Sequence, residues 1–150
     1  KEVLKKAEKI ARELDHPYVG TEHLLLAVMR VCTGVAGQIL SANGVEEANL
    51  YKIVDELISP VGEVTFQEKP KRSPRLEYTL EESKEEAIRF QSEAIGTEHM
   101  LLAILREPDS VATRILLTLN VNIQKIMQDT LEVLGVDIKV YQEILCKKIR

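Results

Sequence analysis

The 150-residue chain is 45% hydrophobic but only 4% aromatic, and it has no tryptophan. Because Leu, Ile, Val and Ala suit helix packing better than a β-sandwich, we expect an all-α fold with a core of its own. The formal net charge of −4 argues against a nucleic-acid binder, since neutralising phosphates requires a basic face. No apolar run approaches the roughly 20 residues of a membrane span, so a membrane protein is not expected either.

The first half of the chain contains four segments in which apolar residues recur at helical spacing. They predict helices over residues 3–14, 24–29, 35–42 and 47–58. The second segment is nearly all apolar, which is typical of a helix buried at the centre of a bundle. Gly44, after the third segment, is suited to a left-handed C-terminal cap.

The region 59–72 contains Pro60, Gly62 and Pro70, and it is predicted to be a linker whose residues 64–66 lie extended along the bundle. Four further helices are predicted after it, over residues 74–90, 100–105, 111–119 and 123–134, with Asn120 as a second left-handed cap. Residues 136–150 could form one more helix over the bundle, the start of a linker to further sequence, or a dimer contact.

The two halves are copies of one unit. Residues 20–30 recur as residues 96–106 with eight of eleven positions identical, and the offset of 76 also pairs the flanking apolar positions. We therefore predict a single domain over 1–150, a pseudo-twofold bundle of two tandem four-helix repeats. Its parts are repeat one (1–58), the linker (59–72), repeat two (73–135) and a C-terminal extension (136–150).

Short polar signals mark where the helices start. Ser73 is predicted to be the N-cap of the helix at 74–90, with proline at the first helical position. Gly20 and Gly96 precede the second helix of each repeat as residues that tolerate positive φ. The hydroxyls of Thr21 and Thr97 are predicted to cap the helices that follow them.

The two cysteines, Cys32 and Cys146, belong to no CxxC or Cys/His cluster, so neither a disulfide framework nor a zinc site is indicated. No signal-peptide pattern is present at the start of the chain. We therefore expect a cytoplasmic, reducing location and no cofactor or metal.

The doubled Gly-Thr-Glu-His-x-Leu-Leu-Ala-x-x-Arg motif, with Ser73-Pro74-Arg75 opening the second copy, resembles the double Clp repeat of ClpC-type chaperones over roughly residues 1–135. The resemblance implies a non-enzymatic domain that precedes two AAA+ modules and passes protein substrates or adaptor-bound proteins to them. The chain lacks the Gly-x-x-x-x-Gly-Lys-Ser/Thr loop of such modules. A ClpA-like or ClpB-like domain, and a stand-alone Clp-repeat regulatory protein without ATPase modules, are the alternatives.

Two departures from the family pattern concern surface loops. Family members carry Gly-His before the loop that follows the first helix, where this chain has Asp15-His16 and Gln91-Ser92. The turn after the motif arginine is replaced by residues 31–34 and 107–110. Because adaptors contact such loops in the family, these changes bear on which adaptor binds.

The resemblance also implies a ligand, since ClpC-type domains of Gram-positive bacteria bind phosphoarginine through the motif glutamate. The matching residues are Glu22 and Glu98, each preceded by a threonine of the candidate site, Thr21 or Thr97. A carboxylate accepts hydrogen bonds from the guanidinium, whereas the phosphate needs N–H groups at a helix start. Without the family, a Thr-Glu pair at a helix start is explained by capping, the carboxylate contributing about 0.3–1 kcal/mol.

The group that holds the phosphate is predicted for only one copy. Ser73 and Arg75, at the start of the second repeat, are expected to serve Glu98. The matching residues of the first copy would precede Lys1.

Three other features are weighed against plainer explanations. His23 and His99 each follow the motif glutamate, which suggests a small enzyme or a metal site, but neighbours on a helix point apart and no further ligand stands at i+3 or i+4. Met29 and Leu105 are candidates for a hydrophobic peptide groove. The acidic residues of the fifth predicted helix indicate a solvated face, with adaptor docking as the alternative. They are Glu81, Glu82, Glu85 and Glu86.

Overall fold

The computed structural model describes residues 2–31, 34–57, 71–136 and 139–143. The first repeat comprises α1 (Glu2–Glu13), α2 (Thr21–Arg30), α3 (Val35–Ala42) and α4 (Glu47–Leu57). The second comprises α5 (Pro74–Arg89), α6 (Thr97–Leu105), α7 (Val111–Thr118) and α8 (Ile123–Val133). Residues 139–143 are also helical, and two short strands, β1 (Tyr18–Val19) and β2 (Lys71–Arg72), pair in parallel. The all-α prediction is confirmed. The two cysteines, Cys32 and Cys146, lie outside the described residues.

The two motif helices lie at the centre of the bundle, as predicted. Leu24 to Val28 of α2 and Leu101 to Ile104 of α6 are completely buried. Helix α2 packs against α1, α3 and α4 of its own repeat and against α6 and α7 of the other, while α6 packs against α5, α7 and α8 and against α2 and α3. Buried residues of both repeats belong to one hydrophobic core, which therefore holds the repeats together. Burial of each leucine contributes about 1.5–3 kcal/mol to the stability of the fold.

Length and composition give little support for a membrane span. In the described part of the chain, no single helix is long and apolar enough to cross a bilayer. Helices α2 and α3 would be long and apolar enough only if taken together. They meet at an angle of 97°, and α2 is buried at the centre of the bundle.

Matched residues in the two repeats share left-handed backbone conformations. The predicted caps Gly44 and Asn120 have φ values of 88° and 60°, which confirms them. Asp15 and Gln91, also 76 positions apart, have φ values of 57° and 55° directly after α1 and α5. A residue with a Cβ in the left-handed conformation costs about 1–2 kcal/mol, whereas glycine adopts it freely. Asp15 and Gln91 therefore strain these two turns.

The strand pair brings the start of the second repeat against the first repeat. β2 pairs with β1, and the backbone N–H of Ser73 donates to the carbonyl of Val19 at 2.9 Å. Arg72 reaches Glu8 of α1 at 3.7 Å. The end of the predicted linker is therefore a short strand that fixes the first turn of α5, and residues 59–70, including 64–66, lie outside the described residues.

The helical segment 139–143 covers the second repeat. Tyr141 is 1% exposed, stacks on Phe90 with ring centroids 6.0 Å apart, and donates its hydroxyl to Glu86 Oε1 at 2.8 Å. Glu86 also accepts from Arg106 Nη1 at 2.7 Å and from Arg89. The prediction that Glu86 belongs to a solvated face is wrong, because Glu86 turns inward to these cations; Glu81 and Glu85 are exposed.

Candidate functional site

Glycine, not threonine, is the N-cap of each motif helix. Gly20 and Gly96 have φ values of −110° and −98°, so neither needs the left-handed region. A Cβ at Gly20 would lie 1.8 Å from Glu22 Oε1, and one at Gly96 would lie 2.4 Å from Glu98 Oε1. The motif carboxylate folds back over each glycine, so a Cβ there would force that side chain to move, and the positive-φ explanation is wrong.

The prediction that Thr21 and Thr97 cap their own helices is also wrong. Both are buried, and each hydroxyl oxygen accepts from a helix of the other repeat. Thr21 Oγ1 accepts from the backbone N–H of Ala112 in the first turn of α7, at 3.2 Å. Thr97 Oγ1 accepts from the N–H of Ala36 in the first turn of α3, at 3.3 Å. The two threonines therefore form a reciprocal pair of caps that joins the repeats.

The motif histidines fasten the helix starts. Nδ1 of His23 accepts from the backbone N–H of Gly20, and Nδ1 of His99 from that of Gly96, both at 2.9 Å. Their protons therefore lie on Nε2, and His23 donates from there to His16 Nδ1 at 2.7 Å. Burial, followed by the neighbouring His16, lowers the pKa of His23 to about 3.

These contacts argue against a role of the two histidines in general-base catalysis or metal binding. A neutral imidazole with its lone pair engaged in a backbone hydrogen bond is a poor general base or ligand. Among the described residues there is no group of three or more His, Cys, Asp or Glu side chains placed to hold a metal ion. The metal and enzyme explanations of His23 and His99 gain no support from this geometry.

A cavity of about 240 Å³ lies at the start of α2, and we call it the Glu22 cavity. Helix α2 contributes Glu22, α5 contributes its first turn, and α7 contributes the residues at its start. Residues at the starts of three helices, drawn from both repeats, thus border one space, and each helix start carries a partial positive charge. The lining residues used below are Tyr18, Thr21, Glu22, Ser73, Arg75 and Asp109.

The structure changes the predicted pairing of the site residues. Ser73 and Arg75 were expected beside Glu98, but they line the cavity of Glu22, and Glu98 lines neither of the two cavities that they share. The prediction is wrong because β2 carries the start of α5 across to the first repeat. Ser73 is the N-cap of α5, as predicted, its Oγ accepting from the N–H of Leu76 at 3.1 Å.

The two motif glutamates have different surroundings. The side chain of Glu22 is 9% exposed and that of Glu98 is 22% exposed. Burial raises the pKa of Glu22, and a hydrogen bond from its own backbone N–H opposes the shift. A carboxylate kept in a costly, largely dehydrated position is typical of a functional group.

A second cavity, of about 640 Å³, adjoins the first, and we call it the Tyr78 cavity. Ser73 and Arg75 line both cavities, and Tyr78 and Glu107 line the second one. Arg75 Nη1 donates to Glu107 Oε2 at 3.2 Å.

A shallow groove of about 420 Å³ lies elsewhere, between the end of α2 and α3. Met29, a predicted groove residue, lines it together with Gly37 and Ala42. Leu105, the other predicted groove residue, is only 5% exposed and belongs to the core.

Sequence reasoning missed four residues of the two cavities, namely Tyr18, Tyr78, Glu107 and Asp109. A signal existed for the last two, because they stand in the loop 107–110 that departs from the family pattern. Tyr18 and Tyr78 are 56% and 50% exposed, and no motif contains them.

Fold and site together define a class of protein: a tandem-repeat helical module whose Glu22 cavity is assembled from residues of both repeats. The family model described as "Clp repeat (R) N-terminal domain" matches residues 1–119 and again residues 71–144. The chain belongs to this family, and the region that it matches in the larger proteins is a non-catalytic one.

Relatives of known identity agree with this assignment. The chain is 36% identical over 133 residues to the negative regulator of genetic competence ClpC/MecB of Bacillus subtilis. It is 34% identical over 132 residues to a probable ATP-dependent Clp protease ATP-binding subunit of Chlamydia pneumoniae. These matches cover 89% and 88% of the chain but only 16% of each relative, so the chain spans a small part of their length.

Solved structures show the same fold. The N-terminal domain of ClpD from Arabidopsis thaliana superposes with a TM-score of 0.70, covering 89% of this chain and 92% of that one, at 20% identity. The Hsp104 N-terminal domain of Candida albicans gives a TM-score of 0.70 at 16% identity, covering 89% and 87% of the two chains. At these identities the likeness concerns the architecture alone.

Proposed function

We propose that this chain receives protein substrates and adaptors for a Clp-type ATPase, and that it recognises phosphoarginine in the Glu22 cavity. The observation that carries the proposal is the make-up of that cavity. One buried carboxylate, one arginine and the first turns of three helices surround about 240 Å³.

A phosphorylated arginine has two parts with opposite demands. Its guanidinium N–H groups are donors, for which the carboxylate of Glu22 is the acceptor. Its phosphoryl group is an anion, for which Arg75 and the N-termini of α2, α5 and α7 are favourable partners. A carboxylate beside an arginine and several helix starts therefore suits this ligand better than it suits plain arginine or free phosphate. The opposing charges are Asp109 on the cavity wall and Glu107, which pairs with Arg75.

The remaining candidate residues have different roles in this proposal. Thr21 holds the start of α7 and Ser73 holds the start of α5, so both position the cavity wall. Glu98 and Thr97 are proposed for a second site beside the start of α3, which Thr97 caps.

Calorimetric titration of free phosphoarginine into the wild type and Glu22→Gln tests the ligand. We expect the variant to bind about 10–100-fold more weakly, because a hydrogen bond to a charged acceptor contributes about 1.5–3 kcal/mol. Glu98→Gln reports on the second site, and Glu81→Gln, which removes an exposed carboxylate of α5, is the matched control. Equal affinity of the wild type and Glu22→Gln would refute the proposal.

Two further observations test the cellular role. A pull-down from native lysate with and without arginine-kinase activity should show capture that depends on the phosphate. The coding sequence after Arg150 should contain a Gly-x-x-x-x-Gly-Lys-Ser/Thr loop if ATPase modules follow. Its absence from the same reading frame would favour a stand-alone regulatory protein.

A further inference from the structure

The Glu22 cavity and the Tyr78 cavity are two halves of one cleft. Ser73 and Arg75 line both, so the Arg75 side chain stands at the boundary between them. Tyr78 follows Arg75 by three residues on α5, which places the two side chains on the same face of the helix. A ligand seated at Glu22 therefore has a second space directly beside it.

The second space has the chemistry of a cation site. Tyr78 presents a half-exposed aromatic ring, and the carboxylate of Glu107, with its side chain 22% exposed, lines the same wall. Glu82, one turn after Tyr78 on α5, is the largest cause of the raised pKa of Tyr78, ahead of burial and of Glu107, and it accepts from Arg106 Nη1 at 2.9 Å. An aromatic face flanked by carboxylates attracts a lysine or arginine side chain through both its quadrupole and its charge.

Arg75 links the occupancy of the two spaces. The guanidinium of Arg75 is paired with Glu107 at 3.2 Å. A phosphoryl group at Glu22 competes for that guanidinium, because Arg binds phosphate in bidentate fashion. Glu107 then loses its partner, and a cation supplied by the ligand replaces it.

We propose that the Tyr78 cavity is a second subsite that takes a lysine or arginine side chain adjacent to the phosphoarginine of a bound peptide. The inference rests on the proposed function and adds to it a substrate class, namely basic segments phosphorylated on one arginine. In an extended peptide the side chains on one face recur every second residue, about 6.6–7 Å apart, so the side chain two residues from the phosphoarginine is the one that can enter the adjoining cavity.

The residues of this subsite are not repeated in the other copy. The position 76 residues before Tyr78 is Glu2, and the one before Glu107 is Val31. A carboxylate there replaces the aromatic ring and an apolar side chain replaces the carboxylate of Glu107, so selectivity for a flanking cation belongs to the Glu22 site.

Fluorescence anisotropy at low salt tests the subsite with three peptides that share one phosphoarginine and differ two residues after it, at a position that is lysine, alanine or glutamate. For the wild type we expect the lysine peptide to bind about 5-fold more tightly than the alanine peptide, and the glutamate peptide to bind most weakly. In Glu107→Gln and in Tyr78→Leu the ratio of lysine to alanine affinity should fall below about 2, whereas Glu81→Gln should keep the wild-type ratio. Because the readout is a ratio within each variant, it does not depend on overall affinity.

The outcomes separate this inference from the function on which it rests. If the wild type binds free phosphoarginine but does not distinguish the three peptides, the subsite is refuted and the phosphoarginine site stands. If Glu81→Gln loses the preference as fully as Glu107→Gln, the effect is a general one of net charge and the subsite is refuted. If the wild type binds neither free phosphoarginine nor any peptide, both proposals are overturned.

Discussion

The reciprocal threonine caps predict that a substitution in one repeat loosens a helix of the other. Thr21→Val keeps the shape of the side chain but removes the oxygen that accepts from Ala112. The Ala112 N–H is then left without its partner in a residue that is completely buried. Thr97→Val has the mirror-image effect on Ala36 and α3.

The expected cost follows from that lost acceptor. Leaving a buried donor unsatisfied costs about 1–3 kcal/mol, and removing a helix cap costs about 0.5–2 kcal/mol. A loss of about 1.5 kcal/mol lowers Tm by about 3–6 °C in a domain of this size. The control is Thr118→Val, which changes an exposed helical threonine and should stay within about 0.5 kcal/mol of wild type.

Two measurements check this reasoning. Urea unfolding followed by circular dichroism gives the free energies of unfolding, and amide hydrogen exchange by NMR locates the damage. Thr21→Val should speed exchange at Ala112 in α7 and leave Ala36 unaffected, while Thr97→Val should do the reverse. Faster exchange confined to the mutated residue's own repeat, or a cost no larger than that of Thr118→Val, would show that the caps do not couple the repeats.

Three further outcomes are expected. Burial raises the pKa of Glu22, so the folded state binds the proton more tightly than the unfolded state. The free energy of unfolding therefore falls as the pH rises from about 4.5, the ordinary pKa, through the raised pKa of the folded state. Glu22→Gln should therefore unfold at higher urea than wild type at pH 7, with the gain vanishing toward pH 4; an equal gain at both values would contradict this. Gln91→Gly should raise stability by about 0.5–1 kcal/mol in a thermal melt by relieving a φ of 55°, and a lower Tm would contradict the strain. Tyr141→Phe keeps the ring but removes the hydroxyl that donates to Glu86, so the free energy of unfolding in urea should fall by about 1–3 kcal/mol. An unchanged free energy would mean that Arg89 and Arg106 alone satisfy the Glu86 carboxylate.

Much of the fold could be predicted because helix periodicity and the repeat are local signals. The apolar runs of α2 and α6 identified the hub, and Gly44 and Asn120 marked helix ends by their backbone preferences. The caps of Thr21 and Thr97 could not be predicted in the same way. Their partners lie in the other repeat, 91 and 61 residues away, and the backbone N–H that each accepts from carries no sequence signature.

The site shows the same division between local and long-range information. The repeat singles out Glu22 and Glu98 as candidates, but which of them shares a cavity with Arg75 depends on how the chain crosses between repeats. Two residues of β2, paired with β1, decide that question. Glu86 was misplaced for a related reason, because its partner Tyr141 comes from a segment that the repeat does not contain.

The Glu22 cavity is built from both repeats, and the motif at its centre is the same in the two copies although the surrounding residues differ. Gly-Thr-Glu-His is constrained in both copies by packing: the glycine makes room for the carboxylate, the threonine caps the opposite repeat and the histidine closes the helix start. The exposed tyrosines of the two cavities, Tyr18 and Tyr78, lie outside this motif. They correspond to Ala94 and Glu2 in the other copy, so the two copies differ at these positions while the motif stays the same. The proposed sites at Glu22 and Glu98 are therefore expected to differ in selectivity even though the motif glutamates are the same.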